Sequence, residues 1–236
     1  MAEDRFRILH PDKHLTRKAQ SIYSILEKKY GCPSWNKAVS PLDELISTIL
    51  SQNTNDRNRD LAFNTLRKYF PSWEQVRDAP LPDIINAIRS AGLANQKGAR
   101  IQNLLRQVTA ENGGLDLSFL AKMKADEARQ WLLKFKGVGP KTASIVMQFS
   151  LQHPAFPVDT HVYRVSGRLG LRPAKLSVEK THLWMEELFP KEQYGPAHLN
   201  LIRLGREICH ARKPDCQICP LKQKCPYFNQ QNPKKN

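Results

Sequence analysis

Residues 135–165 read FKGVGPKTASIVMQFSLQHPAFPVDTHVYRV, and the order of residue types in this stretch decides the fold. Gly137-Val138-Gly139-Pro140 forms a Gly-hydrophobic-Gly turn, in which each glycine is expected to take a backbone conformation closed to other residues. Pro140 suits the first position of a following helix, where no backbone donor is needed. That helix runs from Lys141 to about Leu151, and Gln152-His153-Pro154-Ala155-Phe156-Pro157 then breaks it. Asp159 is placed to cap the next helix. Taken alone, such a hairpin is an ordinary packing corner between two helices. It also brings backbone N–H groups and the positive end of a helix dipole to a bare surface, where a phosphate of a nucleic-acid backbone can come close.

Outward from the hairpin the periodicity stays helical. Ser40 can cap a helix that starts at Pro41 and buries Leu42, Leu45, Ile46, Ile49 and Leu50 on one face. Further amphipathic stretches cover 61–70, 72–78, 84–91 (stopped by Gly92), 101–108 (stopped by Gly113 and Gly114), and a helix after Asp126 through Trp131 and Leu133. No run of alternating β-branched residues is long enough for a strand ladder. The fold class expected is therefore all-α.

The composition points the same way as the hairpin. Lys and Arg number 37 against 22 Asp and Glu, a formal charge of +15 on 27.1 kDa, which sets up an attractive field for a polyanion such as nucleic acid. At 40% hydrophobic residues the chain can bury a sizeable core, so disorder throughout is excluded. No stretch approaches the roughly 18 consecutive apolar residues of a membrane helix, and MAEDRFRILHPDKHL is too charged for a signal peptide. The expectation is a cytoplasmic chain, associated with the nucleoid of a prokaryote, without a membrane partner and monomeric. Residues 226–236 have little to bury and are expected to fray.

Four of the five cysteines, Cys209, Cys216, Cys219 and Cys225, crowd into one window, while Cys32 stands apart and is expected to be a buried thiol. In a reducing compartment this favours a metal site over disulfides. Zinc and a [4Fe-4S] cluster both remain open on ligand type, although a four-cysteine zinc ribbon would show two C-x2-C pairs and only one occurs. Between the first two cysteines, Arg212 and Lys213 sit in a basic loop pinned at both ends. Lys141 falls in the first turn of its helix, where the dipole disfavours a cation, a setting suited to amine nucleophiles. The plainer readings are a phosphate contact for Lys141, a helix cap for Asp159 and a packed histidine for His161.

The 135–165 stretch resembles the helix-hairpin-helix, Gly/Pro-rich loop and catalytic aspartate of the endonuclease III family of DNA glycosylases, and the likeness extends more weakly from about Leu42 to Cys225. The cysteine spacing x6, x2, x5 is similar to that family's iron–sulfur signature. The resemblance implies a two-domain fold: a six-helix barrel over 36–151 with the hairpin, and a [4Fe-4S] cluster domain built from 1–35 and 152–225, with the catalytic pair and DNA in a cleft. It implies Lys141 as nucleophile, Asp159 as essential carboxylate, and DNA contacts at Gly137, Val138, Gly139, His161, Arg212 and Lys213. A serine or tyrosine in place of Lys141 would imply a glycosylase without lyase activity.

Two loops carry the family's wedges. Asn53 falls at the position of the glutamine that enters the gap left by an extruded base, with Gln52 beside it, and Leu93 matches the apolar wedge. Lys136 replaces the proline usual before the first hairpin glycine. The function implied is removal of a damaged base, by default an oxidised pyrimidine, from double-stranded DNA, with cleavage at the abasic site. Uracil or mismatched thymine are alternative substrates, and a non-catalytic DNA-binding module is the alternative of another class. The chain is expected to end too soon after the cysteines for the extra domain of adenine-specific relatives.

Overall fold

The computed structural model describes residues 10–35 and 39–231, and among these every regular element is a helix. The chain divides into two compact units, Asn36–His153 and a unit formed by Met1–Trp35 with Pro154–Asn236. Positions 1–9, 36–38 and 232–236, which include the expected domain edge at 36 and the end of the expected tail, lie outside the described residues.

Among the described residues, seven α-helices make the Asn36–His153 unit: α2 (Pro41–Ser51), α3 (Asp56–Tyr69), α4 (Trp73–Asp78), α5 (Leu81–Ala87), α6 (Ala94–Asn112), α7 (Ala125–Leu133) and α8 (Pro140–Phe149). Local chemistry sets several of their starts. The Ser40 side chain accepts from Asp43 N at 3.1 Å with Pro41 as the first helical residue. Ser72 and Gln75 form a reciprocal capping box on α4. Leu42, Leu45, Ile46, Ile49 and Leu50 are all buried, and α2 packs on α8, α3 and α6.

Three helices depart from the sequence expectation. α3 begins at Asp56, before the apolar run at Leu61, because Asn55 caps a polar first turn. The 84–91 stretch splits into α5 and a 3-10 turn over Arg89–Ala91, closed by Gly92 at φ +65°. α6 starts at Ala94, well ahead of the apolar run at Ile101, and buries Lys97 and Gly98 on the way.

The second unit holds α1 (Lys13–Tyr30), α9 (Thr160–Arg168), α10 (Val178–Leu188), α11 (Tyr194–Glu207) and α12 (Pro226–Gln231). Phe156 is fully buried at its centre, against Phe189, Tyr194 and His198. α12 corrects the expected fraying of the tail over 226–231. Tyr227 and Phe228 pack on the core of this unit, and the Arg168 guanidinium stacks 4.4 Å from the Tyr227 ring centroid. Cys32, expected buried, is exposed, just past the Gly31 cap of α1.

Candidate functional site

The two hairpin glycines have different physical reasons. Gly137 sits at φ +95°, and a Cβ there would lie 2.7 Å from Arg100 Cδ and 2.9 Å from its Nε. Only glycine fits that turn. Gly139, by contrast, has φ −94° and ψ 178°, extended backbone open to any residue, and a Cβ would meet nothing within 4 Å. The expectation that both glycines need special conformations is corrected for Gly139, whose bareness serves the surface and not the fold. Val138 also serves the turn itself. Its side chain is buried and its N–H donates to Phe135 O at 3.0 Å, so it anchors the turn from inside.

α8 then begins at Pro140 with no side-chain cap. Its first-turn donors are left for an acceptor from outside, the arrangement that binds anions. Lys141 is the second residue of this helix and is half-buried.

The two candidate wedges occupy loops of the same unit. Gln52 closes α2, and its Oε1 accepts from Arg100 Nη1 at 2.6 Å. Asn53 beside it is exposed at φ +53°. Leu93 stands at φ +49° with 51% of its surface exposed, between the 3-10 turn and α6. A leucine held in the left-handed region costs about 1–2 kcal/mol, and an exposed one recovers little of that by burial. Lys97, which the sequence reading missed, is buried to 2% exposure and donates from Nζ to Leu50 O at 2.8 Å and Ala91 O at 2.7 Å. Burial pushes this ammonium below the ordinary lysine range, and the charge of Arg100 adds to the effect. A signal was present: Lys97 falls in the apolar stripe continued by Ile101, Leu104, Leu105 and Val108.

In the second unit Asp159 is half-buried at the start of α9, where Oδ1 accepts from Val162 N at 2.7 Å. The cap thus holds the carboxylate in a fixed orientation through one oxygen. His161, in the first turn, is drawn down by burial against the opposing pull of Asp159. Its Nδ1 lies 3.1 Å from Arg164 Nη2. Gly205 of α11 admits this packing, since a Cβ there would come within 3.0 Å of His161 Cβ.

Cys209, Cys216, Cys219 and Cys225 line a single pocket with Val165, Arg168 and other residues of the unit. Burial pushes the Cys216 and Cys219 thiols up, and the charges of Cys209 and Cys225 push the same way. Among the described residues no three or more His, Cys, Asp or Glu side chains are gathered to hold one metal ion. Arg168, also missed from sequence, organises the loop between the first two cysteines. It donates to Cys209 Sγ at 3.3 Å, His210 O at 2.6 Å and Ala211 O at 3.0 Å. With those carbonyls turned inward, Arg212 and Lys213 stand exposed, Lys213 at φ +48°. No helix among the described residues is long and apolar enough to cross a membrane.

Comparison with known proteins follows this geometry. The family profile of the HhH-GPD superfamily base excision DNA repair proteins matches residues 46–191. An Arabidopsis thaliana protein provisionally named a DNA glycosylase is 42% identical over 192 residues, which span 77% of this chain and 65% of that protein. Endonuclease III of Thermotoga maritima is 33% identical over 196 residues, 83% of this chain and 87% of the relative. Among solved structures, a trapped Endonuclease III–DNA covalent intermediate superposes with a TM-score of 0.80 at 28% identity, covering 92% of this chain and 98% of that one.

Proposed function

The chain belongs to the HhH-GPD superfamily of base excision DNA repair proteins and to its endonuclease III-like members, and from that premise we propose that it is a DNA glycosylase with abasic-site lyase activity, in which Lys141 is the nucleophile. The observation that carries the proposal is an uncapped helix start behind a bare turn, with a half-buried lysine as its second residue.

A base stacked in duplex DNA presents no access to its glycosidic bond, so the damaged nucleotide is first extruded, at a cost of about a few kcal/mol of lost stacking. The uncapped first turn of α8 takes a backbone phosphate, and Gly139 leaves room for its approach. The Lys141 Nζ attacks C1′ with its electron pair, the glycosidic bond breaks, and that bond's electron pair leaves with the base. Asp159 stabilises the positive charge that develops on the sugar. The amine proton passes to O4′ as the C1′–O4′ bond breaks and the ring opens, which gives a Schiff base between Nζ and C1′. Removal of a C2′ proton then expels the 3′ phosphate by β-elimination, and water releases the lysine.

We further infer that Cys209, Cys216, Cys219 and Cys225 hold a [4Fe-4S] cluster. The four thiols line one pocket, and their spacing offers one C-x2-C pair where a four-cysteine zinc ribbon would show two. Bound there, the cluster would tie the four cysteines together, while Arg168 and the cysteine loop present Arg212 and Lys213 to phosphates. Oxidised pyrimidines are the substrates proposed, since Endonuclease III is the relative matched over most of both chains.

A duplex oligonucleotide with a single thymine glycol, and a second with a preformed abasic site, test the reading directly. The lesion-bearing strand of each should be cut, leaving a 3′ unsaturated aldehyde. Binding without cleavage of either overturns it in favour of a DNA-binding module.

A further inference from the structure

Among the described residues Lys97 is the one lysine or arginine that is buried, and its ammonium meets orphan carbonyls at the ends of two other elements. A buried charge is costly unless it is closely paired, and the partners Nζ meets are two backbone carbonyls, not a carboxylate. Those carbonyls come from different elements. Leu50 lies at the end of α2 and Ala91 ends the 3-10 turn. Each stands two residues before a candidate wedge, Gln52 in one loop and Leu93 in the other. One nitrogen thus fixes the spacing between the roots of both wedge loops.

One turn further along the same helix, Arg100 makes a second tie. Its guanidinium holds the Gln52 side chain at 2.6 Å, and its stem lies against the turn at Gly137 in the space a Cβ would fill. The first wedge loop and the hairpin turn are therefore joined through one side chain. Asn53 and Leu93, at φ +53° and φ +49°, are held in conformations that persist only where the surroundings impose them.

We propose that Lys97 and Arg100 are positioning residues for base extrusion: from α6 they hold the two wedge loops at a fixed spacing and in register with the phosphate-binding hairpin. This inference rests on the glycosylase reading and on the wedges at the Gln52–Asn53 loop and Leu93. Its consequence is selective. Extrusion of a stacked base needs both wedges to enter the duplex together, whereas an abasic site has no base to unstack, so the two substrates depend on Lys97 and Arg100 to different degrees.

The test uses the full chain, single-turnover cleavage of a thymine glycol duplex and of a preformed abasic duplex, and 2-aminopurine beside the lesion to report extrusion. Lys97→Met and Arg100→Met are expected to slow extrusion and lesion cleavage by roughly 3- to 30-fold, with abasic cleavage slowed by a smaller factor than lesion cleavage, and Lys97→Arg should recover part of the loss. Equal slowing on both substrates overturns the inference, as does no slowing of extrusion. Should Lys97→Met fail to fold, the half-buried Arg100→Met decides. Combined with Gln52→Ala, Arg100→Met should add little to the effect of either alone; full additivity overturns its action through Gln52. If Leu93→Ala, Gln52→Ala and Asn53→Ala all leave extrusion untouched, the wedge assignment falls, and the inference with it. If they slow it while Lys97→Met and Arg100→Met do not, the positioning role alone falls. A wild-type chain that cleaves neither duplex overturns the glycosylase reading beneath both.

Discussion

Gly137→Ala separates the two jobs of the hairpin glycines. A Cβ at φ +95° costs about 1–2 kcal/mol in backbone strain. The same Cβ would stand 2.7, 2.9 and 3.1 Å from Arg100 Cδ, Nε and Cγ, so the arginine must swing away. Its 2.6 Å bond to Gln52 breaks in the process; in this half-exposed setting that is about 0.5–1.5 kcal/mol. The sum is about 1.5–3.5 kcal/mol, a fall in melting temperature of roughly 3–14 °C for a chain of this size. Thermal unfolding by circular dichroism measures it. Gly139→Ala is the control: with open space around its Cβ and ordinary φ, it should melt within about 0.5 kcal/mol of wild type yet bind duplex DNA more weakly. Adding Arg100→Ala to Gly137→Ala should remove the steric part and leave the strain. Equal melting of Gly137→Ala and wild type, or a destabilisation at Gly139 as large as at Gly137, refutes this division.

Three further outcomes follow from the same structure. Burial pushes the Glu44 carboxyl up despite Arg59; a folded value above the unfolded one means that stability falls as pH rises through the interval between them. Glu44→Gln should therefore raise the melting temperature more at pH 7 than at pH 4, and an equal gain at both speaks against it. Arg212→Ala with Lys213→Ala should lower the slope of log binding constant against log salt by about 0.9 for each phosphate that the pair neutralises in the wild-type chain, with base preference unchanged; an unaltered slope means the exposed pair does not touch DNA. Cys219→Ser should abolish the broad visible absorption of a [4Fe-4S] chain and its iron, and wild-type protein prepared without oxygen that is colourless and holds stoichiometric zinc contradicts the cluster.

What could be read from sequence was what neighbouring residues decide. The Ser40 and Asp159 caps bond three residues ahead, and the apolar face of α2 repeats at helical spacing, so both are visible in a short window. The missed features join distant positions. Lys97 meets a carbonyl 47 residues away and Arg100 an amide 48 residues away, and Arg168 reaches 41 residues to Cys209. α12 was missed because its six residues carry only two aromatic anchors, whose partners lie on other elements. Gly139 shows the opposite fault: its residue type suggested a backbone need that its own φ does not have.

The most direct measurement is borohydride trapping on a thymine glycol duplex. Reduction of the Schiff base should give a stable protein–DNA adduct with wild-type chain, and digestion followed by mass spectrometry should place the link on the Lys141 Nζ. Lys141→Ala should form none while still binding the duplex. An adduct retained in Lys141→Ala, or a link mapped to another amine, would contradict the assignment of Lys141 as the nucleophile.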